Sequence, residues 1–496
     1  MTELFGTDGI RGVVGQWPLV PEFFLRLGQA AGSVFREKCK HPTIIIGRDT
    51  RHSGLVLQSA LVAGLLYSGV SVIDAEVIPT SGVAWLLRRL GAEAGAVISA
   101  SHNPFEQNGV KFFDYKGNKL PQPLEKEIER RVPEKIDSSS GSNFSNQFGN
   151  LVNGKTLNSI YIEGLLAEHP NQCLEKLTIV VDCANGAASS FAPEVFTRAS
   201  ARVITIHASP NGTNINDRSG SEYARRTPDE LGKLIRHFKA NFGLAFDGDA
   251  DRVVFVDEDG ILIDGDHMLG FLARYLYQND QLAANSVVTT IMRNTGLKKY
   301  IESSGLKLFE TPVGDKYVVE KILDIRDQKI EMSKLGLGGE QAGHIDLIND
   351  EFTTGDGIRT ALFVMRAYLD SGAQSLGKFA QTIGKTPQII ASAHVGYGPR
   401  VSKDRLSEIE NQMMHKLTGL ERVNLRYSGT EPLFRAMLES DGLQSEDDLA
   451  SIALGLCRRV QDYAGIGDGM IDILNCTRGG VLKPTIEKFP IEIIGI

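Results

Sequence analysis

The strongest constraint on the fold of this chain is an alternation of short apolar runs with helical stretches over its first two-thirds. Helical patterns such as 53–67 and 81–90 separate the apolar runs. Runs typical of β-strands lie at 43–49, 70–78, 95–100, 177–182, 201–207, 242–247, 286–292, 306–311 and 335–338. Continuous apolar strands separated by helices are typical of parallel sheets that are covered on both faces. The pattern therefore predicts three successive mixed α/β domains of roughly 100 residues each.

A different pattern begins at residue 388 and predicts a separate C-terminal α+β domain. Strands are expected at 388–396, 422–427 and 433–438, with helices at 403–417 and 445–463. Ser445 and Asp448 form a capping pair at the start of the last helix. The predicted domains are 1–150, 151–256, 257–372 and 373–465, with a serine-rich linker at 134–150 and a second boundary near 370–385.

The remaining segment, 466–496, is a tail whose role the sequence does not decide. Phe489, Ile491 and Ile493 would share one face of a strand, which would pair within the protein or contact a partner chain. Whether the chain forms a homodimer is left open.

Bulk composition excludes some functions. The 496 residues are 42% hydrophobic and 23% charged, with a net charge of −8, which argues against nucleic-acid binding because that requires a basic face. Five scattered cysteines without a CxxC pair predict reduced thiols and a cytoplasmic location. The N-terminus lacks a signal-peptide pattern, and the uncharged stretch 55–73 is interrupted by polar residues and glycines, so it predicts a buried helix and strand and no membrane span.

The segment 247–252, Asp-Gly-Asp-Ala-Asp-Arg, predicts a divalent metal site. Its carboxylates alternate after the apolar run 242–246, and alternate residues of an extended segment point to one side. Three converging carboxylates with hard oxygen atoms favour Mg²⁺ or Ca²⁺. An EF-hand loop would place Glu258 at its twelfth position, but Arg252 stands where that loop needs a glycine. A solvated acidic turn is the other alternative.

Three further polar loops, and a fourth at the N-terminus, follow or precede predicted strands, where ligands bind in open α/β sheets. Ser101 and His102 lie in the loop after strand 95–100, and Lys111 follows as a potential acid, base or phosphate contact. The glycine-rich loop 338–344 carries Glu340 and His344, which can grip sugar hydroxyls or move protons. The loop 426–432 offers charge and hydroxyls for a phosphate, and segment 5–12 adds another arginine, Arg11.

Together these motifs resemble the α-D-phosphohexomutase superfamily. The resemblance runs from about residue 3 to 465, and it depends most on 6–12, 99–104 and 247–252 (Gly-Thr-Asp-Gly-Ile-Arg-Gly, Ser-Ala-Ser-His-Asn-Pro and Asp-Gly-Asp-Ala-Asp-Arg). It implies four domains around a central cleft, one Mg²⁺ per chain, a small phosphosugar as substrate and a hexose bisphosphate as activator or intermediate.

The resemblance also implies residue roles. Ser101 would carry the phosphoryl group and, with Asp247, Asp249 and Asp251, would hold Mg²⁺. Four side chains would surround the transferring phosphoryl group or serve as acid or base: His102, Lys111, Arg252 and His344. Substrate would be bound by Arg11, Glu340, Arg426, Ser428, Gly429 and Thr430. Either Lys111 or His344 would be the general base.

Two residues depart from the superfamily pattern. Ala342 replaces a usual serine in the loop 338–344, which we call the sugar loop, and Tyr427 replaces a usual proline in the loop 426–432, which we call the phosphate loop. The motifs at 6–12 and 338–344 favour interconversion of glucosamine 6-phosphate and glucosamine 1-phosphate. Glucose and mannose phosphates are the alternative substrates. A non-catalytic phosphosugar-binding protein is the alternative of another class, and the intact Ser101 argues against it. A Mg²⁺ phosphatase is a third interpretation, which a sealed cleft would disfavour.

Overall fold

A computed structural model describes residues 4–6, 8–132, 148–329, 333–428 and 432–484 of the chain. These residues form four sheets with flanking helices, and the order of the sheets follows the order of the sequence. The predicted linker at 134–150 lies almost entirely outside the described residues, as do Phe489, Ile491 and Ile493 of the tail. No helix of the described segments combines the length and apolar character needed to cross a bilayer.

The first sheet has six strands in the order β1-β5-β4-β2-β3-β6. Its elements are β1 (Ile10–Val13), α1 (Pro21–Lys38), β2 (Thr43–Arg48), α2 (His52–Tyr67), β3 (Ser71–Val77), α3 (Thr80–Leu90), β4 (Ala94–Ile98), β5 (Gln107–Asp114), α4 (Gln122–Arg131) and β6 (Leu151–Asn153). The pairs among β2, β3, β4 and β6 are parallel, whereas β5 runs antiparallel to β1 and β4. The uncharged stretch 55–73 thus divides into a helix and a strand, as predicted.

The second sheet has five strands in the order β11-β10-β9-β7-β8. Its elements are α5 (Leu157–Ala167), β7 (Thr178–Asp182), α6 (Ala188–Arg198), β8 (Arg202–Ile206), α7 (Gly220–Arg226), α8 (Pro228–Phe238), β9 (Phe242–Phe246), β10 (Val253–Val256) and β11 (Leu262–Ile263). Strand β9 is parallel to β7 and antiparallel to β10. The connection between β9 and β10 is therefore the segment 247–252.

The third sheet has four strands in the order β13-β12-β14-β15. Its elements are α9 (Gly265–Gln278), β12 (Leu282–Thr290), α10 (Thr295–Ser303), β13 (Lys307–Thr311), α11 (Asp315–Lys329), β14 (Leu335–Gly339), β15 (Ile345–Ile348), α12 (Gly357–Ser371) and α13 (Leu376–Gln381). Strands β14 and β15 are an antiparallel hairpin, and the sugar loop is its connection.

The fourth sheet is entirely antiparallel, with the order β17-β18-β16-β19. Its elements are β16 (Gln388–His394), α14 (Lys403–Lys416), β17 (Leu420–Tyr427), β18 (Leu433–Ser440), α15 (Glu446–Tyr463) and β19 (Ile471–Asn475). The capping pair predicted for the last helix is present, because the Ser445 hydroxyl accepts from Asp448 N at 3.2 Å and the Asp448 carboxylate accepts from Ser445 N at 3.1 Å.

Several short segments belong to a different domain from the one predicted for them. Residues 151–153 return to the first sheet beside β3, and 262–263 stay in the second sheet as the partner of β10. Helix α13 packs on the third domain, where Phe379 stacks on Phe271 with ring centroids 4.1 Å apart. Strand β19 lies in the predicted tail. In each case, edge pairing or apolar packing decides which domain the segment joins. The composition of a linker does not predict either interaction.

The hydrophobic core is continuous across the first three domains and separate in the fourth. One buried cluster includes Trp85 of α3, Phe191 of α6 and Phe271 of α9, whereas Ile389, Leu438 and Leu456 belong to another cluster confined to the fourth domain. A domain attached without a shared apolar core is held mainly by polar contacts, which are described below.

Candidate active site

The loop 247–252 brings three carboxylates together between β9 and β10. Their ligand atoms lie within 4.8 Å of one another, and Asp247, Asp249 and Asp251 are all buried. The convergence predicted from the sequence is present, but its predicted cause was wrong, because the loop is a turn and not an extended segment. Ala250 has φ of +59°, and its N–H donates to the carbonyl of Asp247 at 3.1 Å.

Ser101 lies over this loop after the end of β4. Its hydroxyl donates to Asp247 Oδ2 at 2.6 Å, and the residue is 1% exposed. Ser101 has φ of +52°, a backbone conformation that a non-glycine residue rarely adopts. The serine predicted as the phosphoryl carrier and the predicted metal loop are therefore in direct contact, although they are separated by more than one hundred residues.

Two side chains from other segments hold the backbone of Ser101 in this conformation. The carbonyl of Ser101 accepts from Arg51 Nη2 at 2.9 Å and from Asn216 Nδ2 at 2.8 Å. Arg51 is itself buried and donates from Nε to Asp49 Oδ2 at 2.8 Å. The strained conformation is thus fixed by one residue of the first domain and one of the second.

Lys111 places a positive charge beside the carboxylates of the site. Its ammonium lies 2.9 Å from Asp249 Oδ2, 3.2 Å from Asp251 Oδ2 and 3.3 Å from Asp8 Oδ2. Burial alone would lower the pKa of Lys111, but the three surrounding carboxylates raise it well above its usual value. Lys111 is therefore protonated here and can donate a proton or neutralise phosphate charge.

The carboxylates retain capacity for a second cation. Burial and repulsion from Asp251 and Asp249 raise the pKa of Asp247 well above its usual value. Asp249 Oδ1 and Asp251 Oδ1 are buried without a hydrogen-bond partner among the described residues. An unsatisfied buried carboxylate oxygen is costly, and a hard divalent cation would relieve both this cost and the repulsion. The donor set fits Mg²⁺.

His102 lies beside the serine, and Arg252 lies at the end of the metal loop, where its backbone N donates to Asp247 Oδ1 at 3.1 Å. His102 Nδ1 lies 3.4 Å from Ser101 Oγ, and burial followed by the charge of Arg252 lowers the pKa of His102 to about 3. Burial would lower the pKa of Arg252, but Asp251 and Asp247 raise it. A neutral imidazole and a charged guanidinium are thus available beside the Ser101 hydroxyl.

The sugar loop between β14 and β15 packs directly on the metal loop. Val253 N donates to the carbonyl of Gly343 at 3.1 Å, and a side chain at Gly343, which has φ of +97°, would collide with the Val253 carbonyl. Glu340 Oε1 accepts from Gly314 N at 3.0 Å. The sequence of this loop therefore requires glycine for both backbone conformation and close approach.

His344 faces the metal loop. Its Nδ1 lies 3.8 Å from Asp251 Oδ1, and its Nε2 lies 3.5 Å from Asp315 Oδ2. Burial would lower the pKa of His344, but the nearby carboxylates of Asp251 and Asp315 raise it to about 10. Neighbouring carboxylates thus raise the pKa of both candidates for the general base, Lys111 and His344.

The N-terminal motif enters the same cleft through β1. Ile10 pairs with Val110, the neighbour of Lys111, and Arg11 forms an ion pair with Asp8. Lys119 also pairs with Asp8 and with Asp315 of the third domain, the latter at 2.8 Å. Asp8 therefore joins three cations, and one of them, Lys119, links the first domain to the third.

Arginines of β17 and β18 form the fourth part of the cleft. Arg426 and Arg435 are direct cross-strand partners. Burial, followed by the like charge of Arg435, lowers the pKa of Arg426, while the charge of Glu340 opposes this shift. Like charges opposite each other are destabilising, and an anion between them would remove the repulsion. Ser428 N donates to Leu433 O at 2.8 Å, whereas Gly429 and Thr430 lie outside the described residues.

Three family models match the chain in order: Phosphoglucomutase/phosphomannomutase, alpha/beta/alpha domain I at residues 2–138, domain II at 159–260 and domain III at 264–385. A phosphoglucosamine mutase of Magnetococcus marinus is 40% identical over 474 residues, which cover 94% of this chain and 93% of the relative. A phosphoglucosamine mutase of Deinococcus radiodurans is 39% identical over 474 residues, with 94% and 100% covered.

The chain belongs to the phosphoglucomutase/phosphomannomutase family. The predicted superfamily is thereby confirmed, together with its architecture of three mixed α/β domains and a C-terminal domain.

Solved structures share this fold at lower identity. A phosphoglucomutase/phosphomannomutase family protein of Burkholderia thailandensis superposes with a TM-score of 0.72 at 21% identity, covering 94% of this chain and 98% of that chain. An N-acetylphosphoglucosamine mutase of Aspergillus fumigatus, crystallised with GlcNAc-6P and magnesium, gives a TM-score of 0.62 at 16% identity, with 93% and 96% covered.

Several polar residues that build this phosphoglucomutase/phosphomannomutase site were not singled out from the sequence. They are Asp49, Arg51, Thr80, Asn216 and Arg435. Thr80, for example, donates from Oγ1 to Asp249 Oδ2 at 2.7 Å. Asp49 and Arg51 follow β2, and the rule that ligands gather at the carboxyl ends of strands could have found them. Asn216 and Arg435 carry no comparable local signal.

Tyr427, which replaces the usual proline of the family, has a structural role. Its hydroxyl accepts from Val401 N at 2.9 Å, and the Arg400 guanidinium lies 5.1 Å from the ring centroid. This departure therefore anchors the segment before α14 to the strand that carries Arg426.

Proposed function

We propose that this chain is a phosphoglucosamine mutase that interconverts glucosamine 6-phosphate and glucosamine 1-phosphate in the cytoplasm. The observation that carries the proposal is the buried Ser101 hydroxyl, 2.6 Å from Asp247 in the carboxylate cluster. Relatives with this name match more than nine-tenths of the chain, which supports the choice of an amino sugar over glucose or mannose.

The proposed reaction begins with Ser101 phosphorylated. The bond between phosphorus and Ser101 Oγ breaks, a bond between phosphorus and the free sugar oxygen forms, and the proton of that sugar hydroxyl ends on Ser101 Oγ. The resulting hexosamine bisphosphate turns end for end in the cleft. Its other phosphoryl group then returns to Ser101, which releases the isomeric monophosphate and restores the phosphoserine.

Charge neutralisation is the main task of the residues around Ser101, because phosphoryl transfer depends largely on positioning and electrostatic stabilisation. Asp247, Asp249 and Asp251, with an oxygen of the Ser101 phosphate, would hold one Mg²⁺, which supplies positive charge beside the phosphoryl oxygens. Lys111 and Arg252 carry fixed positive charge to the same place. The burial of Ser101 excludes water, which would otherwise hydrolyse the phosphoserine.

The remaining residues are assigned to the two ends of the substrate. His102 and His344 border the transferring phosphoryl group, with protonated His344 as a donor. Glu340 contacts sugar hydroxyls, and Arg11 lines the first-domain side of the cleft. The non-reacting phosphate is bound by Arg426, Ser428, Gly429 and Thr430, with Arg435 as an addition from the structure.

A substrate panel with wild type and Ser101→Ala tests the proposal. Wild type should isomerise glucosamine phosphates in preference to glucose and mannose phosphates, and Ser101→Ala should lose at least about 1,000-fold in kcat, as removal of an enzyme nucleophile does. Intact-protein mass should show a phosphorylated fraction in wild type that Ser101→Ala lacks.

A matched control is Ser81→Ala, which removes another buried hydroxyl, 2.9 Å from the hydroxyl of Tyr161 and outside the loop of Ser101. Its kcat should stay near the wild-type value. A strong preference of the wild type for mannose phosphate would favour a phosphomannomutase, and release of inorganic phosphate alone would favour a phosphatase.

A further inference from the structure

The sugar loop contacts the fourth domain through one buried side chain, Gln341. Its Nε2 donates to Asp266 Oδ2 at 2.8 Å and to Gln388 Oε1 at 2.7 Å. Asp266 lies in the first turn of α9 in the third domain, and Gln388 is the first residue of β16 in the fourth domain. We call these three residues the Gln341 junction. Gln341 directly follows Glu340, the residue assigned to the sugar.

The junction fixes the orientation of the Gln341 amide. Both acceptors of its nitrogen are oxygen atoms, so a flipped amide would place oxygen against oxygen at two contacts. Gln341 is 3% exposed, and its own Oε1 has no hydrogen-bond partner among the residues that the structure describes. The hydrogen bonds that orient this amide are therefore the two that its nitrogen donates, because its oxygen accepts none from the described residues.

The backbone of the loop transmits this position to Glu340. Gly265 N donates to the carbonyl of Gln341 at 3.1 Å, and a side chain at Gly265 would overlap the carbonyl of Glu340. Glu340 N donates to the carbonyl of His344 at 2.8 Å, and Gly343 N donates to the carbonyl of Glu340 at 3.0 Å. The loop is therefore a closed turn, and a shift of Gln341 moves Glu340 with it.

Gln388 is in turn fixed by the connection between the third and fourth domains. Its Nε2 donates to the carbonyls of Met292 and Arg293, each at 3.3 Å, and its backbone N donates to Thr477 Oγ1 at 3.0 Å. Nearby, Asn294 Nδ2 donates to the carbonyl of Thr386 at 2.9 Å. The position of Gln388 therefore depends on how the start of the fourth domain packs on the third.

We infer that Gln341 is a positioning residue that couples the seating of the fourth domain to the placement of Glu340. The inference rests on the proposed function, since it concerns the loop assigned to the sugar. The fourth domain carries the arginines assigned to the distal phosphate, so a substrate that engages them would stabilise the arrangement seen here, in which Gln388 holds Gln341 and thereby fixes Glu340. The sugar contact is then complete only when the distal phosphate site is also in place.

The test uses the full-length chain with Gln341→Met, Gln388→Met and the double variant. Methionine keeps the approximate length and volume of glutamine and removes the amide. Each single variant should lower kcat/KM for glucosamine 6-phosphate by about 10-fold, within the range produced by displacements of catalytic groups. The double variant should be no worse than the poorer single variant, because both substitutions break the same bond.

Two readouts separate positioning from loss of stability. The ratio of kcat/KM for glucosamine 6-phosphate to that for glucose 6-phosphate should fall in both single variants, because a displaced Glu340 discriminates less between sugars. Hydrogen exchange of peptides covering 338–344 should be faster in Gln388→Met, although the substitution lies in another domain.

The matched control is Gln461→Met, a fully buried glutamine of the fourth domain whose Nε2 donates to the carbonyl of His394 at 2.9 Å. It should change thermal stability but leave the substrate ratio and the exchange of 338–344 unchanged. Active wild type whose junction variants keep the wild-type ratio and exchange would overturn this inference alone. A wild type that isomerises no phosphosugar would overturn the proposed function, and this inference with it.

Discussion

The two ends of the cleft differ in how completely the protein prepares them. Around Ser101, polar groups already have partners drawn from two domains: the carbonyl of Ser101 accepts from Arg51 and Asn216, and Asp249 accepts from Thr80 and Lys111. Around Arg426, the direct cross-strand partner is another arginine, Arg435. The backbone of Ser101 is fixed before a ligand arrives, although the carboxylates beside it still repel one another, whereas Arg426 faces a like charge that an anion would neutralise.

This difference fits the separate demands of the two ends in the proposed reaction. A reacting group gains rate from fixed geometry, because rearrangement during the reaction costs energy. A non-reacting phosphate must bind, release and exchange places with the other phosphate, so its site gains from affinity that depends on the ligand. Three variants test this difference between the two ends.

The largest effect is expected at the prepared end, from Asp249→Asn. Asparagine keeps the shape of the side chain but removes a charge from the cluster that would hold Mg²⁺, while Lys111 keeps its own charge. We expect kcat to fall by about 100- to 1,000-fold, and the Mg²⁺ concentration for half-maximal activity to rise. Both are measured by isomerisation assays over a Mg²⁺ titration after treatment with a chelator.

The control for this variant is Asp229→Asn, which alters an exposed acid of α8 that pairs with Arg236 at 2.7 Å. It should retain wild-type kcat and Mg²⁺ dependence. Wild-type behaviour of Asp249→Asn at every Mg²⁺ concentration would contradict the metal assignment and remove the main contrast between the two ends.

An intermediate effect is expected at the other end, from Arg426→Ala. Loss of a charge-assisted hydrogen bond to phosphate costs about 1.5–3 kcal/mol, or about 10- to 150-fold in kcat/KM. Most of the change should appear as a higher KM, measured with glucosamine 6-phosphate. Arg405→Ala, which alters an arginine of α14 paired with Glu408, is the control. If KM were unchanged and kcat alone fell, the arginines would act on the reaction and not on binding.

The smallest effect is expected from Asn216→Ala, which removes one of the two donors to the Ser101 carbonyl. Because Arg51 remains, we expect a loss of about 1 kcal/mol, or roughly 5-fold in kcat, with KM nearly constant. Asn279→Ala is a matched control, since its Nδ2 donates to the carbonyl of Tyr275 at 2.8 Å on the surface. An equal loss in both variants would show that the clamp on Ser101 does not contribute to catalysis.

Features that depend on residues close together in the sequence could be predicted, whereas contacts between distant residues could not. Strands and helices of the α/β domains follow local periodicity, and the predicted strand 242–247 differs from β9 by one residue. The carboxylates of 247–252 were recognised because they are adjacent in sequence. Asn216 was missed because its contact with Ser101 joins positions 115 residues apart, and nothing in its neighbourhood marks it.

Errors in the sequence prediction have the same origin. The turn at Ala250 was not expected, because a positive φ at alanine has no compositional signal. Strand β19 was left undecided, because its pairing with β16 depends on where the fourth domain lies. The raised pKa of His344 could not be deduced either, since it arises from Asp251 and Asp315, which lie on two other segments.

The segment after β19 makes the chain return to a domain it left more than two hundred residues earlier. Leu262 N donates to the carbonyl of Arg478 at 3.1 Å, Gly480 N donates to the carbonyl of Arg225 at 2.9 Å, and Arg226 pairs with Asp472. The second, third and fourth domains are thus joined in a ring, which is completed by these hydrogen bonds and this ion pair. Separation of the fourth domain from the second would break these contacts, so residues 472–480 oppose such a movement.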